Sequence, residues 1–223
     1  MKAGLIAATL IAFAAQKDAS AAAAGLASAD PVVRTHAACE LRELGSQAAP
    51  FMPRLAVLLE DASPVDPAVC GERTWRFHGG RDELTSPGEQ AASAFVAIGS
   101  PSQPILLKAL AGPAWVARKN AAWALGALDA SEAVPALIDA LKDTDAGVRE
   151  QVAWALGAIG DHRAVDGLVN ALGDSMAGVR KQAAWALGAI GDKRAVQGLM
   201  HALKDTDAGV RKQSAWALGA IGG

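Results

Sequence analysis

The sequence predicts an all-α protein, an α-solenoid in which about six two-helix repeats stack one on the next. The phrase Ala-Trp-Ala-Leu-Gly-Ala recurs every 31 residues in the second half of the chain. A fixed period of roughly 20 to 50 residues is the mark of a repeat architecture. Hydrophobic residues make up 52% of the chain but aromatic residues only 4%. Alanine, the best helix former, therefore supplies much of the apolar surface, and helices are favoured over strands.

Each repeat begins with a short amphipathic helix, which is clearest over residues 133–142. Its apolar residues recur at helical spacing, at positions i, i+3, i+4 and i+7; they are Val134, Leu137, Ile138 and Leu141. Asp145 is a suitable N-cap for the second helix of this repeat. Gly160 is expected to end that helix in a left-handed turn. Asp161 then follows in a position to cap the next repeat.

The repeat pattern can be followed towards the N-terminus. Asp30 and Pro31 predict the start of a second helix, as an N-cap followed by proline at the first helical position. Residues 90–99 predict another second helix, and residues 51–60 and 104–110 predict first helices. Counted this way, the chain contains six repeats.

The tryptophans lie on an unusual side of the second helix. A helical wheel groups the expected core residues in one sector; these are Val148, Val152, Ala155, Leu156 and Ile159. Trp154 points about 140° away from that sector, on the side of Glu150 and Ala158. Two roles fit this placement: each tryptophan packs on small residues of an adjacent repeat, or the tryptophans form an aromatic stripe that binds a partner.

The phrases Val-Arg-x-x-(Ala/Val)-Ala-Trp-Ala-Leu-Gly-Ala-Ile-Gly-Asp and Arg-Ala-Val-x-Gly-Leu resemble HEAT-like repeats of the phycobilisome-lyase type, over about residues 17–223. The resemblance implies a HEAT/armadillo-like superhelix whose second helices line its concave face. It thereby assigns Asn120, Glu150 and the following candidate binding residues to that face: Trp123, Trp154, Trp185, Trp216, Lys119, Gln151, Lys181, Gln182, Lys212 and Gln213.

An arginine recurs near the start of the second helices, and two roles fit it. The series comprises Arg34, Arg118, Arg149, Arg180 and Arg211. A row of this kind can bind anions. We favour the structural alternative, in which each arginine pairs with an aspartate of a neighbouring turn and stabilises the contact between repeats. The available aspartates include Asp143, Asp174 and Asp205.

An insertion over residues 61–86 interrupts the second repeat between its two helices. Loops of this length are uncommon unless they have a function or are disordered. Its candidate binding residues are Trp75, Arg76, Phe77, His78 and Arg81. Aromatic side chains are typical of binding loops, although a self-packed loop fits as well. Cys39 and Cys70 either form a disulfide or remain unpaired as two small apolar residues. A disulfide would place the loop over the first repeats.

Residues 1–14 have the pattern of a secretory signal peptide. Lys2 supplies the positive end, residues 3–14 are apolar, and Ala12-Phe13-Ala14 fits a cleavage site. We therefore expect an exported protein, periplasmic or extracellular, with the repeat array over residues 15–223. The alternative is a buried or lipid-facing N-terminal helix, since about 12 apolar residues are too few to span a bilayer. No other segment predicts a membrane span.

The sequence lacks the patterns of the common enzyme classes. Its net charge is −2 and it has no long basic run, so nucleic acid is not an expected partner. The four histidines show no metal-ligand spacing, and no His-Glu dipeptide occurs of the kind that the iron sites of HEAT-like deoxyhypusine hydroxylases require. There is no nucleophile motif, P-loop or dinucleotide fingerprint. We expect no catalytic residues, metal or cofactor.

These observations predict a non-catalytic, exported scaffold that binds a protein partner through the concave second-helix face and the 61–86 loop. The alternatives are a lyase-like or chaperone-like accessory subunit acting on a cofactor-bearing partner, or a degenerate oxidoreductase-family HEAT protein without iron ligands. Gly222 and Gly223 follow directly on the last helix, with no polar capping repeat. We expect this end to continue in a partner or longer protein, to fray, or to self-associate.

Overall fold

The computed structural model describes residues 19–71 and 84–222, and these residues form an all-α fold of the α-solenoid class. The only β-structure within these ranges is an isolated antiparallel bridge between Val65 and Thr85. The signal-peptide prediction for residues 1–14 falls outside the described residues.

Twelve α-helices over the described residues form six pairs, as the repeat count predicts. We number them α1 (19–25), α2 (Pro31–Leu44), α3 (Met52–Leu58), α4 (Pro87–Ile98), α5 (Gln103–Leu110), α6 (Trp115–Ala127), α7 (Val134–Ala140), α8 (Ala146–Ile159), α9 (Val165–Ala171), α10 (Ala177–Ile190), α11 (Val196–Ala202) and α12 (Ala208–Gly222). The even-numbered helices are the second helices of the repeats. Single 3-10 turns precede α7, α9 and α11, so these first helices are shorter than their sequence patterns suggest.

The chain divides into two compact units, Met1–Ile105 and Leu106–Gly223. In the first unit, α2 and α4 pack against each other. Their core side chains include Leu41 and Phe95, both fully buried. As predicted, the Asp30 side chain accepts a hydrogen bond from the backbone N–H of Val32, and Pro31 opens the helix.

In the second unit, the second helices α6, α8, α10 and α12 pack side by side in sequence order, each on the next. The predicted limits of α8 are confirmed: the Asp145 side chain accepts a hydrogen bond from the Val148 N–H, and Gly160 is left-handed with φ 72°. In the preceding repeat Asp129 takes the left-handed position, with φ 52°.

Burial on α8 extends beyond the predicted core stripe. Val148, Val152 and Leu156 are fully buried, as expected, but Ala153 and Gly157 on other sides of the helix are buried too. The reason is that α8 contacts three helices, α6, α7 and α10, whereas a helical wheel treats a helix as having one buried face.

Neighbouring second helices approach each other closely at three glycines. A Cβ atom added to Gly157 would lie 2.7 Å from both Cα and Cβ of Ala186 on α10. Gly126 and Gly188 have the same relation to the helices that follow them. Glycine is therefore required here because the two helix backbones approach more closely than any side chain permits.

We expect Gly157→Ala to lower the free energy of unfolding by about 1–3 kcal/mol, because the added methyl group must push α8 and α10 apart. Gly219, the matched position on α12, has no atom within 4 Å of an added Cβ. Gly219→Ala should therefore raise the free energy of unfolding by roughly 0.5 kcal/mol through helix propensity. Chemical denaturation of both variants tests this, and equal effects of the two substitutions would contradict the close-contact account.

Candidate protein-binding face

The repeated tryptophans lie along the second helices of the second unit, and their exposure rises along the chain. Trp123 is only 7% exposed, Trp154 and Trp185 are half-buried, and Trp216 is 49% exposed. The four tryptophans therefore form the predicted row, but Trp123, the first of them, has little accessible surface.

Each of the last three tryptophans packs one edge of its ring on the second helix of the preceding repeat. A Cβ atom added to the glycine of the preceding second helix would lie 2.6–2.9 Å from the tryptophan ring atom Cζ3. The pairs are Trp154 on Gly126, Trp185 on Gly157 and Trp216 on Gly188. The tryptophans thus have the packing role that the sequence left open, while the rest of each ring remains partly accessible.

No hydrogen-bond acceptor for the indole N–H groups of Trp154 and Trp185 is found within residues 19–71 and 84–222. An aromatic ring with a free N–H presents both apolar area and a hydrogen-bond donor, the combination that favours tryptophan at interfaces.

The predicted polar neighbours of the tryptophans differ in accessibility. Lys181 and Lys212 are exposed. Lys119, Gln182 and Gln213 are half-buried, and Gln151 is 7% exposed. Glu150 occupies the lysine position of its repeat, and its carboxylate lies close to Gly178 at the start of α10. The exposed charge beside the last two tryptophans is therefore positive.

Four of the five arginines in the predicted series pair with an aspartate of a later turn; for Arg211, hydrogen bonds to backbone carbonyls are found but no such pair within residues 19–71 and 84–222. In the second unit each paired arginine donates two hydrogen bonds, from Nε and Nη2, to the two oxygens of one carboxylate that lies 25 residues later in the sequence. The donor–acceptor distances are 2.6–2.9 Å. The pairs are Arg118 with Asp143, Arg149 with Asp174 and Arg180 with Asp205. In the first unit Arg34 binds Asp61 at 2.7 Å. These arginines stabilise contacts between repeats and leave no row of free cations.

These ion pairs change the acidity of their carboxyl groups. The hydrogen bond from Arg149 lowers the pKa of Asp174. The hydrogen bond from Arg180 lowers the pKa of Asp205 to about 2. A carboxylate held by a charged, two-pronged donor favours its ionised form, so both pairs stay charged in mildly acidic solution.

A second polar row, which the sequence analysis missed, follows the C-terminal ends of the second helices. Arg163 binds Asp161 and also donates to the backbone carbonyl of Ser131 in the preceding repeat. Arg194 repeats the arrangement, binding Asp192 and the carbonyl of His162. The 31-residue recurrence of Asp-x-Arg was the signal that could have found it.

In the first unit, Cys39 and Cys70 form a disulfide with a Cα–Cα distance of 5.7 Å. Both residues are buried, and the bond attaches the early part of the 61–86 insertion to α2. Gln90 on α4 lies beside it, accepting a hydrogen bond from Arg42 at 2.9 Å and donating one to Thr85 at 2.9 Å. Both ends of the insertion are therefore held to the helices.

The central part of the insertion lies outside the described residues, and with it the five predicted binding residues Trp75, Arg76, Phe77, His78 and Arg81. Over residues 19–71 and 84–222, no group of three or more His, Cys, Asp or Glu side chains is arranged to hold a metal ion. Within the same residues, no helix combines the length and the apolar character needed to cross a bilayer.

The stacked helix pairs, joined by repeated ion pairs and glycine contacts, define a helical repeat protein. The HEAT-repeat family description matches residues 103–178 and 165–223, which is more than half of the chain. The chain therefore belongs to the HEAT-repeat family. No curated protein matches it significantly.

Solved structures with the same fold include natural and designed solenoids. One chain in the structure of the complex of CpcE and CpcF of phycocyanin lyase from Nostoc sp. PCC7120 is 26% identical, with 92% of this chain and 77% of that one covered and a TM-score of 0.56. An engineered protein is 25% identical, with coverages of 92% and 96% and a TM-score of 0.53. A designed armadillo repeat protein in complex with the peptide (KR)4 is 20% identical, with coverages of 90% and 98% and a TM-score of 0.56.

The disulfide closes a loop with a sequence separation of 31 residues. We expect Cys70→Ser to lower the free energy of unfolding by about 2–4 kcal/mol, because the unfolded chain gains conformational freedom when the crosslink is lost. Denaturation of the variant and of the oxidised parent provides the comparison. Addition of a reductant should lower the free energy of unfolding of the parent and leave that of Cys70→Ser unchanged. Equal responses of the two proteins would show that the disulfide does not contribute to stability.

We expect the stabilisation from the Arg180–Asp205 pair to depend on pH. The folded pKa of Asp205 is lower than its usual value of 3.8, so the stabilisation is complete above about pH 5 and is lost as the pH falls towards 2. The difference in melting temperature between the parent and Asp205→Asn should therefore be largest near neutral pH and shrink below pH 4.

The matched control for this titration is Asp139→Asn, at an exposed aspartate of α7 for which no ion pair is found among the described residues. It removes a carboxylate without breaking an ion pair, so its melting temperature should stay close to that of the parent. A difference between the parent and Asp205→Asn that is constant from pH 7 to pH 2 would contradict the ion-pair account.

Proposed function

We propose that the protein is a non-catalytic, exported scaffold that binds a protein partner through the second-helix face of the second unit and through the 61–86 loop. The observation that carries this proposal is the repeated presentation of partly accessible tryptophans, namely Trp154, Trp185 and Trp216, along the second helices. A surface built from identical elements at a fixed spacing suits an extended partner that contacts several repeats.

The charge of the face favours a partner with an acidic contact surface. Three of the four residues that lie four positions before a tryptophan are lysines, namely Lys119, Lys181 and Lys212, and the fourth is Glu150. Lys181 and Lys212 are exposed, and no ion pair holds either of them within the described part of the chain. Complementary charge increases the rate of association and selects among partners.

The designed armadillo repeat protein solved in complex with the peptide (KR)4 shares only the fold with this chain, but it illustrates that a repeat protein of this fold can bind a peptide. Its peptide is basic. The lysines beside the tryptophans here favour an acidic segment instead, since like charges across an interface destabilise it.

Two observations support export. A disulfide persists in an oxidising compartment and is rare in the cytosol, and Cys39 and Cys70 are bonded. The apolar stretch after Lys2 in the sequence has the length and flanks of a signal peptide. Both fit a periplasmic or extracellular protein.

The 61–86 loop is proposed as the part of the binding surface that distinguishes one partner from another. Its described ends are held by the disulfide and by the Val65–Thr85 bridge. A loop fixed at both ends loses less conformational entropy on binding than a free one. Its sequence supplies aromatic and arginine side chains, the residue types that most often carry binding energy.

A second candidate is an accessory subunit that acts on a cofactor-bearing partner protein. The likeness to the CpcE and CpcF complex over 92% of the chain favours it. The two candidates differ in what accompanies the purified protein. Absorbance of a co-purified chromophore would support the accessory subunit, whereas a colourless complex with a protein partner would support the scaffold.

The proposed face is tested by reversing its charge without disturbing its packing. We expect Lys181→Glu combined with Lys212→Glu to reduce the amount of specific partner captured from the exported fraction of native cells by at least about tenfold. Both lysines are exposed, so the variant should keep its helical circular dichroism and melting temperature. Replacing the tryptophans themselves would be less informative, because they also pack between repeats.

The matched control is Lys108→Glu combined with Lys142→Glu, at exposed lysines on the side of the first helices. It makes the same change in net charge and should capture the partner as the parent does. Equal loss in both variants would point to a general charge effect, and full capture by the Lys181 and Lys212 variant would exclude the second-helix face.

A further inference from the structure

A buried positive charge lies beside the disulfide of the first unit. Arg42, on α2, is only 7% exposed. The hydrogen-bond acceptor found for it among the described residues is a neutral group, the side-chain oxygen Oε1 of Gln90, at 2.9 Å. Over the same residues, no ion pair between Arg42 and a carboxylate is found. A buried charge is costly unless it is paired and hydrogen-bonded, so the position of this guanidinium calls for an explanation.

The corresponding position in the second unit carries no charge. Arg42 occupies on α2 the place that glycine occupies on α8, where Gly157 allows the next second helix to approach. Cys39 likewise occupies the place of Trp154. The first unit thus has a cation and a disulfide sulfur where the second unit has a glycine and a tryptophan that serve packing.

Two carboxylates near Arg42 do not act as close counter-ions. Glu43 interacts with it electrostatically, but Glu43 is exposed, so that water and salt screen its charge. Glu89 is connected to Arg42 through the neutral side chains of Gln90 and Thr85, in a chain of hydrogen bonds of 2.9, 2.9 and 3.2 Å. Burial lowers the pKa of the Arg42 guanidinium, the direction expected for a cation that is removed from water without a close counter-ion.

The sulfur atom of Cys39 can become the missing anion. It lies 3.4 Å from Oε1 of Gln90, the same oxygen atom to which Arg42 donates. In the disulfide this sulfur carries neither a charge nor a proton. Reduction converts it to a thiol or a thiolate, and a neighbouring guanidinium favours the thiolate. The reduced form therefore supplies the counter-ion that the oxidised form lacks.

We propose that the Cys39–Cys70 disulfide is redox-active and exchanges with a dithiol, and that Arg42 stabilises Cys39 as the thiolate. A cation beside one sulfur stabilises the reduced state relative to the oxidised state, and a disulfide whose reduced form is stabilised is more easily reduced. All the groups involved belong to the first unit. Neither the proposal nor its test depends on a protein partner, so both are independent of the proposed function.

The structure favours attack of the dithiol on Cys70. Cys70 is 8% exposed and Cys39 is 3% exposed, and attack on Cys70 expels the sulfur beside Arg42, which is the better leaving group. A thiolate of the dithiol bonds to Sγ of Cys70, the Cys39–Cys70 bond breaks, and Cys39 leaves as a thiolate. The second thiol of the dithiol then displaces Cys70, which takes up the proton of that thiol. The dithiol is oxidised to a disulfide, and its two electrons reduce the protein.

Reduction changes how the insertion is held. The disulfide attaches Cys70 to α2, whereas the bridge between Val65 and Thr85 and the hydrogen bond from Gln90 to Thr85 do not involve the sulfur atoms. Those contacts remain possible after reduction, but the covalent attachment of residues 61–70 to α2 is lost. The redox state of the bond therefore sets how firmly the early part of the insertion is held.

The experiment equilibrates the whole protein with mixtures of reduced and oxidised dithiothreitol and counts free thiols by mass after alkylation. We expect the uncharged variants Arg42→Met and Arg42→Gln to lower the equilibrium constant for reduction at least about tenfold, because the thiolate loses its counter-ion. Arg42→Lys keeps the charge and should stay within about threefold of the parent. A general loss of stability would act in the opposite direction, because the reduced chain unfolds more readily and reduction becomes easier.

A control and a second measurement separate the local charge from other effects. Arg54→Met removes an arginine from an exposed position of α3 and should leave the equilibrium unchanged. In Cys70→Ser, Cys39 is an unpaired thiol, and its thiolate absorbs at about 240 nm. Adding Arg42→Met to Cys70→Ser should reduce this absorbance at neutral pH, with circular dichroism confirming that both proteins are folded.

The opposite results overturn the proposal. Reduction of Arg42→Met and Arg42→Gln as readily as the parent, or more readily, would show that Arg42 does not stabilise the reduced form. An equal shift in Arg54→Met would assign the effect to the net charge of the protein. Unchanged thiolate absorbance after Arg42→Met would show that the guanidinium does not act on Cys39.

Discussion

The close approach of neighbouring second helices at glycine controls the arrangement of the second unit. At Gly126, Gly157 and Gly188 the next helix lies so near that a single methyl group does not fit. That distance allows a tryptophan edge to cover the glycine, and it coincides with an arginine reaching the carboxylate of the following turn. A larger residue at the glycine would separate the helices and weaken both contacts together.

The same contact explains how tryptophans can pack between repeats and still present ring surface. The ring edge packs on the glycine of the preceding repeat, and Trp154, Trp185 and Trp216 keep part of the ring accessible. Because the spacing is fixed by packing, the accessible parts of successive tryptophans occupy defined positions. A partner that binds them therefore meets a surface that is already organised, which lowers the entropy lost on binding.

Much of the fold was predictable because its signals are local. Asp145, Gly160 and the pairing of Arg149 with Asp174 follow from capping rules and from the period of the repeat. The contacts of Trp154 did not follow, because they depend on which helix lies beside it and at what distance. The Asp161 and Arg163 row did not follow either, because it depends on the carbonyl of Ser131 in a turn of the preceding repeat. No pattern could locate the candidate residues of the 61–86 loop in space.

The link from Arg118, Arg149 and Arg180 to an aspartate 25 residues later has a consequence for the changes that the gene can undergo. A duplicated segment of 31 residues carries its own arginine, aspartate, glycine and tryptophan, so it arrives with both halves of a junction. Whole repeats can therefore be gained or lost while the neighbouring contacts re-form. Insertion of one residue within α8 would instead rotate the rest of that helix by about 100° relative to its start, and would misalign the contacts that join the two sides of the insertion.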